Sequence, residues 1–138
     1  MLKTFAKGGV HPAENKLSAH CPIEKLPLPP TVIIPVSQHL GAPSKPIVAK
    51  NDKVKAGQLI AESSGFVSAN IHSSVSGTVS AIDNYIDSSG YKRMAIAINV
   101  EGDEWIETVD LSPELKKEIF FSPEEIAKKI SDAGIVGL

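Results

Sequence analysis

Four histidines and one cysteine are the side chains best suited to bind a metal ion or to act as a base or nucleophile. They are His11, His20, His39, His72 and Cys21. No two of the histidines stand four residues apart on a predicted helix, and none lies beside a cysteine pair, which are the spacings of zinc sites. Cys21 has no base that the sequence assigns to it. We therefore predict no metal site and no catalytic residue, and expect surface or loop-bracing histidines.

Two other polar groups each have a functional and a structural interpretation. Ser63-Ser64 and Ser73-Ser74 could donate hydroxyl groups to a phosphate, or could be polar turn residues. Lys50, Lys53 and Lys55 flank one turn, where they could contact an acidic partner or form a charged edge that discourages strand pairing. The sequence favours the structural interpretation for both groups.

Composition narrows the class of protein. The formal net charge is −2 over 138 residues, and no basic cluster overrides it, which argues against a nucleic-acid partner. A single cysteine can form neither an internal disulfide nor a four-cysteine iron–sulfur site, so we expect an intracellular protein that binds no cluster through this stretch alone. No apolar run approaches the roughly 18 residues of a membrane-spanning helix, so we expect no membrane insertion.

Residues 46–100 carry the pattern of a small all-β barrel or sandwich, in which short apolar runs alternate with turns. Asn51-Asp52, Gly57 and Ser76-Gly77 mark turns, because Asn and Gly tolerate positive φ. Arg93–Val100 predicts a last strand that packs on one face through alternate residues. The side chains expected to fill the core are Val48, Val54, Leu59, Ala61, Val75, Val79, Ile82, Met94, Ile96, Ile98 and Val100.

The flanking segments are expected to differ from this barrel. Residues 1–45 predict irregular arms that wrap the barrel, with one strand at Thr31–Pro35 that Pro35 marks as an edge or an ending. Residues 101–111 are acidic and predict a linker, which Trp105 and Ile106 fix to the domain.

Residues 112–138 predict one or two helices. Ser112-Pro113-Glu114 and Ser122-Pro123-Glu124-Glu125 each place a capping hydroxyl before a proline at the first helical position. Ser122 and Glu125 also have the spacing of a capping box, and Gly134 is placed to end the second helix. The apolar face of that helix has little chain after it to pack against.

Two turns resemble those of the biotinyl/lipoyl-type barrel-sandwich hybrid, namely Asn51 to Gln58 and Ser76-Gly77-Thr78-Val79. Carrier members of that fold attach biotin or lipoate to a lysine at a hairpin tip. No lysine occurs between Lys55 and Lys92, so the hairpin positions 62–66 have no amine to modify and a carrier function is disfavoured. A periplasmic adaptor with the same barrel is disfavoured because an export signal and coiled-coil heptads are absent.

Several short motifs narrow the resemblance to one family. They are Lys7-Gly-Gly-Val-His-Pro12, Glu14-Asn-Lys16, Pro22 to Pro29, Ser37 to Pro43, and Gly65 to Ala69 with His72-Ser73. Together they resemble the amino-terminal region of the RnfC family, which belongs to the Rnf ion-translocating ferredoxin:NAD oxidoreductase. The alternative is the corresponding subunit of the sodium-pumping NADH:quinone reductase, which shares the barrel but lacks the Lys-Gly-Gly-x-His-Pro opening.

The resemblance implies that a larger parent subunit handles NADH through FMN and passes electrons through 4Fe-4S clusters. It would lie at the cytoplasmic side of the cell membrane, peripheral to a complex that moves Na⁺ or H⁺. Its partners would be its own further domains, the other Rnf subunits, ferredoxin and NADH. Gly134 to Leu138 resembles the start of the family's flavin loop, so Gly137 is the one candidate cofactor-binding residue, in an incomplete loop. This chain alone is then a docking module that is expected to hold no cofactor.

Overall fold

The computed structural model describes residues 9, 13–87, 89–115 and 117–136, and within them the chain forms seven strands and one helix. The elements are β1 (Thr31–Pro35), β2 (Lys45–Pro46), β3 (Lys53–Val54), β4 (Leu59–Glu62), β5 (Ile71–His72), β6 (Ser76–Ile86), β7 (Lys92–Gly102) and α1 (Pro123–Asp132). One sheet has the order β1-β7-β6-β3 and the other β2-β4-β5. All strand pairs within them are antiparallel. The predicted mainly β class with a carboxy-terminal helix is confirmed.

The core lies between the two sheets and draws on all parts of the β region. Its buried members are Ile34, Val36, Val54, Ile60, Ala61, Ile71, Val75, Val79, Ile96 and Ile98, with Val32, Val48, Ile82 and Val100 packed against them. The predicted core is confirmed except for Leu59 and Met94. A register shift between Leu59 and Ala61 lets the consecutive residues Ile60 and Ala61 both turn inward, which strict alternation did not predict.

Strand β7 is buried on both faces at its centre, so the prediction of a strand packed on one face is wrong there. Ala95 and Ala97 are as buried as Ile96. They pair with Pro35 and Ile33 of the edge strand β1. Met94, expected in the core, is exposed.

The predicted turns have the backbone conformation that their residues favour. Asn51 has φ +76° and Gly57 has φ +80°, both in the left-handed region. The Asn51 N–H donates to the Val79 carbonyl at 2.8 Å, which ties this turn to β6. A Cβ on Gly57 would lie 3.0 Å from the ring of Trp105, so the close approach of that ring also favours glycine.

The acidic segment after β7 is fixed to the barrel through Ala56. The Ala56 N–H donates to the Glu104 carbonyl at 2.9 Å, and the Ile106 N–H donates to the Ala56 carbonyl at 3.0 Å. Residues 56 and 105 thereby form an isolated parallel bridge. The expectation that Trp105 and Ile106 fix this crossing to the domain is confirmed.

The amino-terminal part of the described chain is exposed until it reaches β1. Residues 13–28 are exposed throughout, and the Val100 N–H donates to the Pro30 carbonyl at 3.0 Å where the chain joins the sheet. Strand β1 forms an edge of the four-stranded sheet, as Pro35 predicted. The sheet therefore extends to residues 31–35, which the predicted division had assigned to the arms.

Only the second of the two helix signals produces a helix among the described residues. Ser122 accepts a hydrogen bond from the Glu125 N–H, and the Glu125 carboxylate accepts one from the Ser122 N–H at 2.8 Å, completing the predicted capping box. At the first signal the Ser112 N–H instead donates to the Asp110 carboxylate at 3.0 Å. That local turn competes with a helix, and Leu115 stands at the position where Glu125 completes the capping box of the second signal.

Candidate functional site

The candidate site is an open groove of about 890 Å³ between two loops. We call residues 37–44, between β1 and β2, the histidine loop, and residues 63–70, between β4 and β5, the tip loop. Apolar side chains of Leu40, Phe66, Val67 and Val136 line the groove, and Asp87 and Arg93 contribute charge.

His39 connects the two loops through Nε2, while Nδ1 contacts the backbone of its own loop. The Ala69 N–H donates to Nε2 at 3.1 Å, and Nδ1 lies 2.8 Å from the Leu40 carbonyl. Because Nε2 accepts a hydrogen bond from a backbone N–H, the tautomer with its hydrogen on Nδ1, which donates to the Leu40 carbonyl, satisfies both contacts. The prediction of a loop-bracing histidine is therefore confirmed at His39. Its central role was missed, because its partners lie in a loop far along the sequence.

Serine hydroxyls complete the attachment of the tip loop to the histidine loop. Ser64 Oγ donates to the Pro43 carbonyl at 2.6 Å, and Ser68 Oγ donates to the Ala42 carbonyl at 2.9 Å. Buried Ser44 donates in the other direction, to the Ala69 carbonyl at 2.5 Å. Backbone groups add to this, since the Ala42 N–H donates to the Val67 carbonyl at 2.9 Å. The tip loop is thus held in one conformation from both sides.

The hydrogen-bonded tip loop and the adjoining histidine loop present apolar side chains to solvent. Phe66 is fully exposed, and Leu40 and Val67 beside it are also exposed. An exposed aromatic side chain on a pre-organised backbone loses little entropy on binding, which suits a protein–protein contact.

An ion pair lies at the side of the groove. Arg93 Nε is 2.8 Å from Asp87 Oδ2, and Arg93 also donates to Ser37 Oγ at 3.3 Å. Asp87 Oδ1 accepts from the Ser89 N–H at 2.8 Å, which shapes the β6–β7 turn. The charge of Arg93 is therefore compensated within the chain.

The carboxy-terminal end of α1 is attached to the barrel beside this groove. Asn70 Nδ2 donates to the Asp132 carbonyl at 3.2 Å, and a Cβ on Gly134 would collide with the Asn70 carbonyl. Gly134 has φ +69°, and the Ile135 N–H donates to the Ile130 carbonyl at 3.2 Å, which closes the helix as predicted.

The lysines of the β3 edge are paired with carboxylates of the chain itself. Lys53 Nζ lies 2.7 Å from Glu101 Oε1, and Lys55 Nζ lies 2.9 Å from Glu104 Oε1. Hydrogen bonds from Lys53 and then Thr78 lower the pKa of Glu101, and the hydrogen bond to Glu104 raises the pKa of Lys55. This arrangement favours the charged-edge interpretation over a surface for an acidic partner.

The remaining predicted polar residues do not meet at a common site. Ser73 is buried and donates to the Val75 carbonyl at 2.7 Å, so it acts as a turn residue. His20 and Cys21 are exposed, while His11 and Gly137 lie outside the described residues. Within the part of the chain that is described, no three His, Cys, Asp or Glu side chains are grouped so as to hold a metal ion. No helix in that part is both long and apolar enough to cross a membrane.

Comparison with known proteins gives the family. The model for the RnfC Barrel sandwich hybrid domain matches residues 3–103. The chain belongs to this family. The RnfC match confirms the predicted family resemblance and the barrel-sandwich hybrid fold, and it includes both loops of the candidate groove.

Relatives with this RnfC region are much longer than the chain. The C subunit of the proton-translocating ferredoxin:NAD(+) oxidoreductase complex of Clostridium ljungdahlii is 49% identical over 140 residues, covering 100% of this chain and 30% of the relative. The C subunit of the ion-translocating oxidoreductase complex of Rhodobacter capsulatus is 41% identical, covering 99% and 27%. Its counterpart in the Na(+)-translocating ferredoxin:NAD(+) oxidoreductase complex of Acetobacterium woodii is also 41% identical, covering 96% and 30%. The chain thus spans less than a third of the length of these relatives.

Proposed function

We propose that this chain is a structural and docking domain of the NADH-handling subunit of an ion-translocating ferredoxin:NAD oxidoreductase, without an active site of its own. One observation carries the proposal. The tip loop, at the position where carrier domains attach their cofactor, is locked by hydrogen bonds and presents Phe66 instead of a lysine.

The chemistry of the tip loop supports docking rather than carriage. A carrier needs a lysine amine to which it attaches the cofactor that travels between active sites, and no lysine lies in residues 63–70. A docking surface needs the opposite properties, which are a fixed backbone and apolar side chains that lose water on contact. The tip loop has both.

The redox chemistry is then supplied by other parts of the full-length subunit. We propose that NADH is oxidised there through FMN and that electrons pass through 4Fe-4S clusters. The names of the relatives support a reaction between ferredoxin and NAD(+), while FMN and the clusters are inferred from the family resemblance, including the flavin-loop resemblance at Gly137. Residues 46–100 form the barrel in this proposal, 101–111 join it to the next domain, and that domain begins within 112–138. The subunit would bind its complex peripherally, at the cytoplasmic side of the membrane.

Deletion of the barrel from the full-length subunit tests this function. We expect the subunit lacking residues 1–103 to keep its flavin and cluster absorbance and to reduce a soluble dye with NADH. We expect it to lose co-purification with the other subunits of the complex. Normal assembly and normal ferredoxin-dependent turnover without the barrel would contradict the docking role. Stoichiometric flavin or NADH binding by the isolated 138-residue chain would contradict the absence of a site.

A further inference from the structure

We infer that the groove between the histidine loop and the tip loop is the seat of the domain that follows residue 138 in subunits of the relatives' full length. The inference rests on the proposed structural and docking function and assigns its structural part a surface, on which the next domain of the same subunit sits. The occupant is a part of the same polypeptide, and its contact surface is expected to be apolar.

The path of the chain supports this occupant. The Asn70 amide holds the carboxy-terminal end of α1 through the Asp132 carbonyl at 3.2 Å, and Gly134 lies against the Asn70 backbone. Val136, two residues after Gly134, lines the groove. Polypeptide that continues from this point starts at the mouth of the groove, where the effective concentration of a tethered partner is high.

The relatives supply the length of chain that is needed. This chain covers 30% of the Clostridium ljungdahlii relative and 27% of the Rhodobacter capsulatus relative. Most of such a protein therefore lies outside these 138 residues. A domain of that size can cover both loops without a long connection.

The lining of the groove defines the chemistry of the contact. Leu40, Phe66 and Val67 are exposed at its rim, whereas Arg93 is already paired with Asp87 at 2.8 Å. An ion would find little uncompensated charge there. An apolar side chain entering the groove would bury Phe66, and burial of a large apolar side chain is the main source of affinity in such contacts.

Thiol accessibility in the full-length subunit tests the inference. Phe66→Cys reports on the groove, and Lys50→Cys, in the exposed turn before β3, is the matched control; both are made with Cys21→Ser. Alkylation is followed by peptide-resolved mass spectrometry, which separates the introduced thiol from the other cysteines of the full-length protein. In the full-length subunit, we expect the thiol at position 66 to react at least about tenfold more slowly than the thiol at position 50. In the 138-residue chain, we expect the two thiols to react at similar rates.

The other outcomes each overturn the inference. Equal rates at both positions in the full-length subunit would show an open groove. Protection that appears in the 138-residue chain and grows with its concentration would make a second copy the occupant. Protection that appears only in the assembled complex would make another subunit the occupant, and would leave the proposed function intact.

A second variant separates burial from local damage. Phe66→Ser should lower the melting temperature of the full-length subunit by several degrees and leave that of the 138-residue chain unchanged, because Phe66 is fully exposed in the latter. Equal shifts in both proteins would contradict the inference.

Discussion

At the scale of the residue, His39 holds the candidate site together by contacts to the backbone. Its Nε2 accepts from the N–H of Ala69, a residue that is buried. A buried donor that loses its acceptor retains the cost of desolvation without compensation.

His39→Ala should therefore destabilise the chain by about 1–3 kcal/mol, the usual cost of leaving a buried polar group unpaired. Urea unfolding measures this loss, and amide exchange at Ala69 should accelerate. His20→Ala, in the exposed arm, is the control and should stay within about 0.5 kcal/mol of the parent. An equal effect of the two substitutions would refute the bracing role.

Glu101 makes the free energy of unfolding depend on pH. Its pKa is lowered in the folded state by hydrogen bonds from Lys53 and Thr78. A lowered folded-state pKa contributes stability above the ordinary glutamate pKa of about 4.3, and this contribution is lost as the pH falls through the folded-state value.

Glu101→Gln should therefore make unfolding free energy less dependent on pH just below about pH 4.3. The effect should be small, because Lys53 and Glu101 are both largely exposed. Urea unfolding at a series of pH values measures it. Glu62→Gln, which keeps the Lys53 and Thr78 contacts of Glu101, is the control, and an unchanged slope in Glu101→Gln would disprove this prediction.

At the scale of the element, α1 is well specified locally and is attached to the barrel at its carboxy-terminal end. Its capping box and the closing Gly134 follow from the sequence. Ile126 and Ile130 on its apolar face are partly exposed. The attachment therefore depends on the contact of Gly134 and Asp132 with Asn70.

Gly134→Ala should detach α1 from the barrel. The new Cβ would meet the Asn70 carbonyl, in addition to the cost of a positive φ. Gly90→Ala is a close control, since Gly90 has φ +82° but no atom within 4 Å of an added Cβ. In both variants the left-handed backbone of the new alanine costs about 1–2 kcal/mol. Only Gly134→Ala should accelerate amide exchange in α1, and similar exchange in the two variants would argue against the attachment.

The elements also show what sequence patterns can predict. The turn at Asn51 and the cap at Ser122 were predictable, because each depends on residues a few positions apart. The two serine-proline signals differ locally, because Glu125 completes a capping box with Ser122, whereas Leu115 stands at the corresponding position after Ser112. By contrast, His39 and Ala69 meet only through the fold, so the bracing of the groove left no pattern in either segment.

At the scale of the whole molecule, stability rests on a small core shared by two sheets. Ile98 has no exposed surface and pairs with Val32 on one side and Val79 on the other. Total stabilities of about 5–15 kcal/mol are typical of single domains, so one large cavity at this place removes much of the total.

Ile98→Ala should cost about 2–5 kcal/mol, the range for aliphatic truncation in a packed core. Ile33→Ala, on the same sheet but about half exposed, is the control and should cost markedly less. Urea unfolding compares the two variants. A loss below about 1 kcal/mol for Ile98→Ala would contradict the assigned core.

The whole-molecule arrangement explains the remaining differences from prediction. Alternation of apolar residues identified most core positions. The register shift at Leu59 places Ile60 in the core as well. The pairing of β1 with β7 adds residues 31–35 to the barrel. Both depend on contacts between distant segments, which local periodicity does not encode.

That pairing also sets the order of events during synthesis. Thr31 pairs with Asn99, and β1 has no other neighbour in the described sheet. The ribosome must therefore synthesise β7 before β1 can pair with it. Until then, the β-branched segment of β1 remains unpaired in the nascent chain. Pro35 ends that segment and lacks the N–H that a wrong partner strand would use, which guards it against misassembly until its proper neighbour emerges.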